Sequence, residues 1–138
     1  MGASSVGNID PKDNKYAIGM AAGYFGDPTT SSYTGNVVNK GIINVNGEHS
    51  IGMYGTERGT IVTNNGIINL NASNTTGMYL DNGAYGINNG TIQSNGTGLK
   101  RVVGMVVKNG SIIENNGIIQ INATDAVGLL AKGNSVGR

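Results

Sequence analysis

Four times the chain writes Asn-x-Gly followed by an alternating apolar and polar run. "NKGIINVNGE" starts at Asn39, "NNGIINLNAS" at Asn64, "NNGTIQSNGT" at Asn88 and "NNGIIQINAT" at Asn115. The glycines of these runs, Gly41, Gly66, Gly90 and Gly117, are spaced 25, 24 and 27 residues apart. A second motif, Gly-Met, keeps similar time in "AIGMAAG", "SIGMYGT", "TTGMYLD", "VVGMVVK" and "AVGLLAK", with Gly19, Gly52, Gly77, Gly104 and Gly128 spaced 33, 25, 27 and 24. A third, "GTIVTNN" at 59 and "GSIIENN" at 110, has looser echoes in "NVVNK" at 36 and "YGINN" at 85. A fixed period of this size is the mark of a solenoid, in which each repeat covers the open face of the one before.

The repeat is built of strands. Its apolar segments are only four to six residues long and glycine interrupts each of them, which no helix tolerates well. Period two fits instead. Ile43, Ile68, Ile92 and Ile119 share a parity with Val45, Leu70, Ser94 and Ile121, while Asn44, Asn69, Gln93 and Gln120 hold the other. One face is apolar and the other carries amides. The prediction is an all-β chain: a parallel β-helix with three short strands per coil of about 25 residues, four to five coils in all. Its core stacks the Ile column, the Val/Leu/Ile column and a column of Met20, Met53, Met78, Met105 and Leu129. The frameworks of leucine-rich and calcium-binding nonapeptide repeats are missing.

The organisation predicted along the chain is an N-terminal segment, 1–15, left out of the fold, a β-helix over 16–132 and the start of a further coil at 133–138. An inserted loop at 24–35 explains the long spacing of 33, and "NGTGLKR" at 95–101 reads as a shorter loop. The 24 glycines and twenty asparagines suit a chain that turns often. Asn39, Asn64, Asn88 and Asn115, each two residues before a repeat glycine, are expected to lie at sharp turns of positive φ. Stacking of the coils should then join their side chains into an amide ladder.

Composition narrows the function. A net charge of +1, with Lys100-Arg101 the sole adjacent basic pair, argues against a nucleic-acid partner. Without cysteine there are neither disulfides nor thiolate metal sites, and no apolar run reaches transmembrane length. The N-terminus does not read as a signal peptide. No metal and no cofactor is expected, since Asp27, Asp81 and Asp125 are scattered. His49, the single histidine, sits beside Glu48 in "NGEHSIG" and reads as a turn residue, not a base. Glu57-Arg58 and Lys100-Arg101 fall in different turns and read as solvated charges.

The combined "NNGIINL…GMY" pattern over residues 16 to 132 resembles the passenger repeats of large type V autotransporter adhesins, especially the fusobacterial outer-membrane kind. The resemblance implies a right-handed β-helical stalk on the surface of a Gram-negative cell, held by a C-terminal membrane barrel that this stretch does not contain. It also implies attachment to host cells or to other bacteria, through a surface protein or glycan. No serine-protease motif accompanies it, and no enzymatic activity is expected.

The Gly-Met segment supplies the candidate contact surface. By parity, Met53 turns inward and Tyr54 outward, so Tyr54, Tyr79, Val106 and Leu130 form an exposed stripe beside a flat glycine strip. Aromatic rings on such a surface stack on sugars or hold a protein partner. Two other readings stay open: a glycan-binding or polysaccharide-acting β-helix of lyase, hydrolase or tailspike type, and a neutral spacer with the adhesive site elsewhere. Bare strand edges near Ile18 and Val127 also allow copies to join end to end.

Overall fold

The computed structural model describes residues 2–5, 8–9, 17–24 and 33–138. Every regular element among them is a strand, and every ladder between named strands is parallel. In chain order they are β1 (Gly2–Ser5), β2 (Asn8–Ile9), β3 (Ile18–Ala22), β4 (Asn36–Asn39), β5 (Ile42–Val45), β6 (Ile51–Thr56), β7 (Ile61–Asn64) and β8 (Ile67–Leu70). There follow β9 (Thr76–Asp81), β10 (Tyr85–Asn88), β11 (Thr91–Gln93), β12 (Val103–Val107), β13 (Ile112–Asn115), β14 (Ile118–Gln120), β15 (Val127–Ala131) and β16 (Val136–Gly137). Every third strand pairs, giving three sheets: β1-β4-β7-β10-β13-β16, β2-β5-β8-β11-β14 and β3-β6-β9-β12-β15. We call them the first, second and third sheets. From β3 to β15 the chain makes about four turns of a parallel β-solenoid.

Two strands fall inside the segment kept out of the fold by the sequence. β1 pairs with β4, and β2 with β5. The reason it escapes notice is that "GASS" and "NI" lack the repeat's apolar alternation, so only backbone pairing reveals them. At the expected insertion, Tyr24 and Tyr33 form an antiparallel bridge across its neck, and 25–32 lie outside the described residues.

The core follows the register. Ile43, Ile68 and Ile92 are fully buried, as are Val45, Leu70, Met53, Met78 and Met105. Ser94 stands in the Val45–Leu70 column, where its hydroxyl accepts from Asn122 N (2.7 Å) and donates to Asn122 O (3.3 Å), so a polar side chain is satisfied by the neighbouring coil. Two further columns interlock by size. A Cβ on Gly55 would lie 2.4 Å from Val62 Cγ2, and one on Gly86 would lie 2.8 Å from Leu80 Cδ2. Each glycine makes room for the larger side chain opposite it. Fully burying one such side chain contributes about 1.5–3 kcal/mol before entropy is counted.

Three corners per coil join the strands, and they use different devices. Entering the third sheet, the column His49, Asn74, Arg101 and Asp125 lies in the left-handed region, at φ of 60°, 57°, 54° and 58°. Leaving it, Asn82-Gly83 and Asn109-Gly110 do the same, with φ of 53° and 86°, then 52° and 80°. The conspicuous Asn-x-Gly corner between the first and second sheets does not. Neither Asn64, Asn88 and Asn115 nor Gly66, Gly90 and Gly117 has positive φ, against expectation. Glycine is required there by closeness of the coils: a Cβ on Gly66 would lie 2.0 Å from Gly41 O, on Gly90 2.0 Å from Gly66 O, and on Gly117 2.0 Å from Gly90 O.

The asparagines of that corner point inward. Asn39, Asn64 and Asn88 are fully buried and Asn115 is half-buried. Asn39 Nδ2 donates to Asn64 Oδ1 (2.9 Å), Asn64 Nδ2 to Asn88 Oδ1 (2.8 Å) and Asn88 Nδ2 to Asn115 Oδ1 (2.8 Å). Each rung also holds its own corner, as Gly41 N and Gly66 N donate to Asn39 Oδ1 and Asn64 Oδ1 (3.1 and 3.3 Å). Ladders on the outside run the other way. Asn69 donates to Asn44 and Gln93 to Asn69 (both 2.8 Å), while Asn89 donates to Asn65 (2.9 Å) and Asn116 to Asn89 (3.0 Å).

Burial separates these ladders in energy. Asn64→Ala takes the shortest bond from the buried Asn39 amide, the donor from Asn88 Oδ1 and the acceptor from the Gly66 N–H, and should cost about 3 kcal/mol. Asn65→Ala, on the exposed ladder, should cost under about 1 kcal/mol, and urea denaturation of the two variants measures the gap. Gly90→Ala should destabilise by about 4 kcal/mol or more, because its Cβ meets fixed backbone. A thermal melt within a few degrees of the parent would refute that packing argument.

Candidate functional site

The outer face of the third sheet carries the candidate surface. Register places Ala21, Tyr54, Tyr79, Val106 and Leu130 in one column. Tyr54 and Tyr79 stack, with ring centroids 5.7 Å apart and planes 30° from parallel. Lys108 Nζ lies 5.8 Å from the Tyr79 ring centroid. The Tyr79 hydroxyl, and behind it Asp81, hold the Lys108 ammonium above its ordinary pKa, so it is a cation at neutral pH. Asp81 in turn accepts from Asn109 Nδ2 (2.7 Å) and from the backbone of Asn82 (2.8 Å), which fixes the corner below the rings. The face can therefore offer aromatic edges, a hydroxyl pair and one cation.

The stripe differs from its sequence reading in two ways. Val106 is buried at 6% exposure, because its short side chain stands in register between the longer Tyr79 and Leu130, and both tyrosines are only half-exposed. The glycine strip does not face outward either. Gly52, Gly77 and Gly104 are buried together with the methionines that follow them, so strict alternation breaks at Gly-Met. A Cβ on Gly52 would meet Ile68 Cγ2 at 2.8 Å, on Gly77 Ile92 Cγ2 at 2.7 Å and on Gly104 Ile119 Cγ2 at 2.8 Å. These glycines admit the isoleucine column; they do not flatten the surface.

Parity alone could have found Lys108, which stands two residues after Val106 on the same side. Two other groupings have weaker signals. Tyr24 and Tyr33, 50% and 62% exposed, face each other at the insertion neck with centroids 6.4 Å apart, beside a recess of about 280 Å³ that Gly23 and Thr34 help line. On the first sheet Tyr85 donates its hydroxyl to Glu114. That bond raises the Tyr85 pKa and lowers that of Glu114. The partners lie 29 residues apart, and only the coil register brings them together.

The two charged pairs that the sequence singled out do not converge. Glu57 and Arg58 lie at the corner leaving the third sheet, Lys100 and Arg101 at the corner entering it. Among the described residues no three His, Cys, Asp or Glu side chains group as metal ligands. His49 holds a corner at φ 60°, its N–H bonded to Asn74 O (2.9 Å).

Parallel sheets wound into a three-sided coil define a β-helix of the pectate lyase type. Residues 1–89 match the family model of the BigA third pectate lyase-like domain, and the chain belongs to that family. No curated protein and no solved structure matches it.

Glu57 marks an improvable corner. It takes φ 86° where the following coils use Asn82 and Asn109, and its Oε2 is sealed from solvent without a partner. Glu57→Asn should stabilise by about 1–2 kcal/mol, through an easier left-handed backbone and loss of the stranded oxygen. A lower urea midpoint for the variant would contradict this account.

Proposed function

We propose that this chain is a β-helical segment of a bacterial surface or secreted protein, of the autotransporter-passenger kind, that works by contact and not by catalysis. Its family and its parallel β-solenoid support that setting. The observation that carries the contact role is the stacked Tyr54–Tyr79 pair with Lys108 beside it. Rigid rings on a sheet lose little entropy on binding, and a neighbouring cation adds orientation. A protein or glycan on a host cell or another bacterium is the partner class.

A second reading takes the family name at its word and makes the chain a polysaccharide-acting enzyme. The dispersed Glu57, Arg58, Lys100 and Arg101 favour contact over cleavage, because lytic chemistry needs its acid, base and cation on one face.

Purified protein is tested for retention on host cells, on bacterial cells and on immobilised glycans, beside the variant carrying both Tyr54→Ala and Tyr79→Ala. Retention should fall about tenfold or more in the variant, equivalent to about 1.4 kcal/mol or more of binding, while its circular dichroism is unchanged. Equal retention by a folded variant would move the adhesive role elsewhere and leave this segment a spacer. Shortening of polygalacturonate chains by the parent protein would establish the enzymatic reading instead.

A further inference from the structure

Six Asn-x-Ser/Thr triplets occur in the chain, beginning at Asn71, Asn74, Asn89, Asn95, Asn109 and Asn122. Such a triplet accepts an N-linked sugar only where its amide nitrogen and its hydroxyl are both reachable. Here the solenoid decides between them. Asn71 Nδ2 is committed to Asn46 (2.8 Å), Asn89 Nδ2 to Asn65 (2.9 Å) and Asn109 Nδ2 to Asp81 (2.7 Å). Their hydroxyl partners are no freer: Ser73 accepts from Lys100 N, Thr91 lies within β11, and Ser111 is fully buried and accepts from Gly83 N. Asn74 is half-buried at a left-handed corner, with Oδ1 held by Arg101 Nε, and Thr76 lies within β9.

Asn95 and Asn122 differ from all of these. Both are exposed, as are Thr97 and Thr124. Among the described residues, none of these four side chains makes a hydrogen bond. They occupy matching places, two residues beyond the register pair Gln93↔Gln120, in the column that the bonded Asn46–Asn71 pair begins. The amide ladder stops there because the chain leaves the sheet. Gly98 takes φ 69° with open space around it, and a recess of about 350 Å³ separates Gly96–Leu99 from Asn122–Thr124. Among the described residues the backbone of 95–97 makes no hydrogen bond, so a transferase can bend that triplet until the hydroxyl approaches the amide. The backbone of Asn122 is tied to Ser94 Oγ and that of Thr124 to Leu99 and Arg101, so at the second site it is the exposed, unbonded side chains beside the recess that make the triplet reachable.

We propose that Asn95 and Asn122 are acceptor sites for N-glycosylation. The donor is a sugar whose anomeric carbon is bonded to a phosphate oxygen. A bond forms between Asn Nδ2 and the anomeric carbon as the bond from that carbon to the phosphate oxygen breaks. The phosphate leaves with the electron pair, and one amide proton passes to the transferase. The assignment stands apart from the tyrosine contact and does not depend on it.

The test is site-resolved mass spectrometry of the full protein isolated from the cells that make it. Sugar should appear on Asn95 and Asn122 and on none of Asn71, Asn89 or Asn109. Thr97→Val should abolish it at Asn95 alone, leaving Asn122 occupied and the circular dichroism unchanged. A single added hexose would indicate a nucleotide-activated donor, and a preassembled oligosaccharide a lipid-linked one. Both support the proposal. Bare asparagine at both positions would overturn it, as would equal occupancy of the ladder asparagines. Sugar on one position only would overturn the assignment at the other.

Discussion

The spacing between coils governs this molecule. Parallel backbone pairing fixes successive coils at roughly 4.8 Å, and every side chain meets its counterpart one turn away at that distance. At the corner between the first and second sheets the backbones press so close that only glycine fits at Gly66, Gly90 and Gly117. The same closeness turns Asn39, Asn64, Asn88 and Asn115 into a hydrogen-bonded column within the core. An amide is an unusual choice for a buried site. It succeeds here because each one is satisfied by the coils beside it and by its own corner. Registry follows, since a slip of one residue would strand every rung at once.

The surface inherits that regularity. Tyr54 and Tyr79 stack because register aligns them, and Lys108 joins them from the next coil. A face built in this way is rigid and linear. That regularity makes the corners, not the sheets, the places where chemistry can vary from coil to coil.

Much of the architecture was legible in the sequence because a solenoid repeats its grammar. Parity placed Ile43, Ile68 and Ile92 and the methionines inside, and the period set the number of strands per coil. What the sequence hid were distances between backbones. Asn-x-Gly suggests a left-handed turn, yet the left-handed residues stand at the other two corners, at His49, Asn74, Asn82 and Asn109 among others. Gly52 and its counterparts read as surface by alternation, but the break at Gly-Met carries them against the isoleucine column. Val106 shared the parity of Tyr54 and Tyr79, and parity cannot say that longer neighbours in adjacent coils cover it. Parity puts Lys108 on the face of Val106, but its approach to the Tyr79 ring, and the bond from Asn109 to Asp81, became visible only when coils were stacked.

The opposed directions of the amide ladders have an electrical meaning. In an α-helix every peptide dipole points the same way, and lengthening the helix sustains a field between its ends. Parallel sheets carry little net dipole of their own. Here the interior column donates toward later coils, from Asn39 through to Asn115, while the outer columns donate toward earlier ones, from Gln93 to Asn44 and from Asn116 to Asn65. Their side-chain dipoles therefore oppose one another. The interior column thus offsets part of the polarity that the outer columns would build along the axis as coils are added, and a long rod of this design sustains a weaker field between its ends than its outer ladders alone would give it.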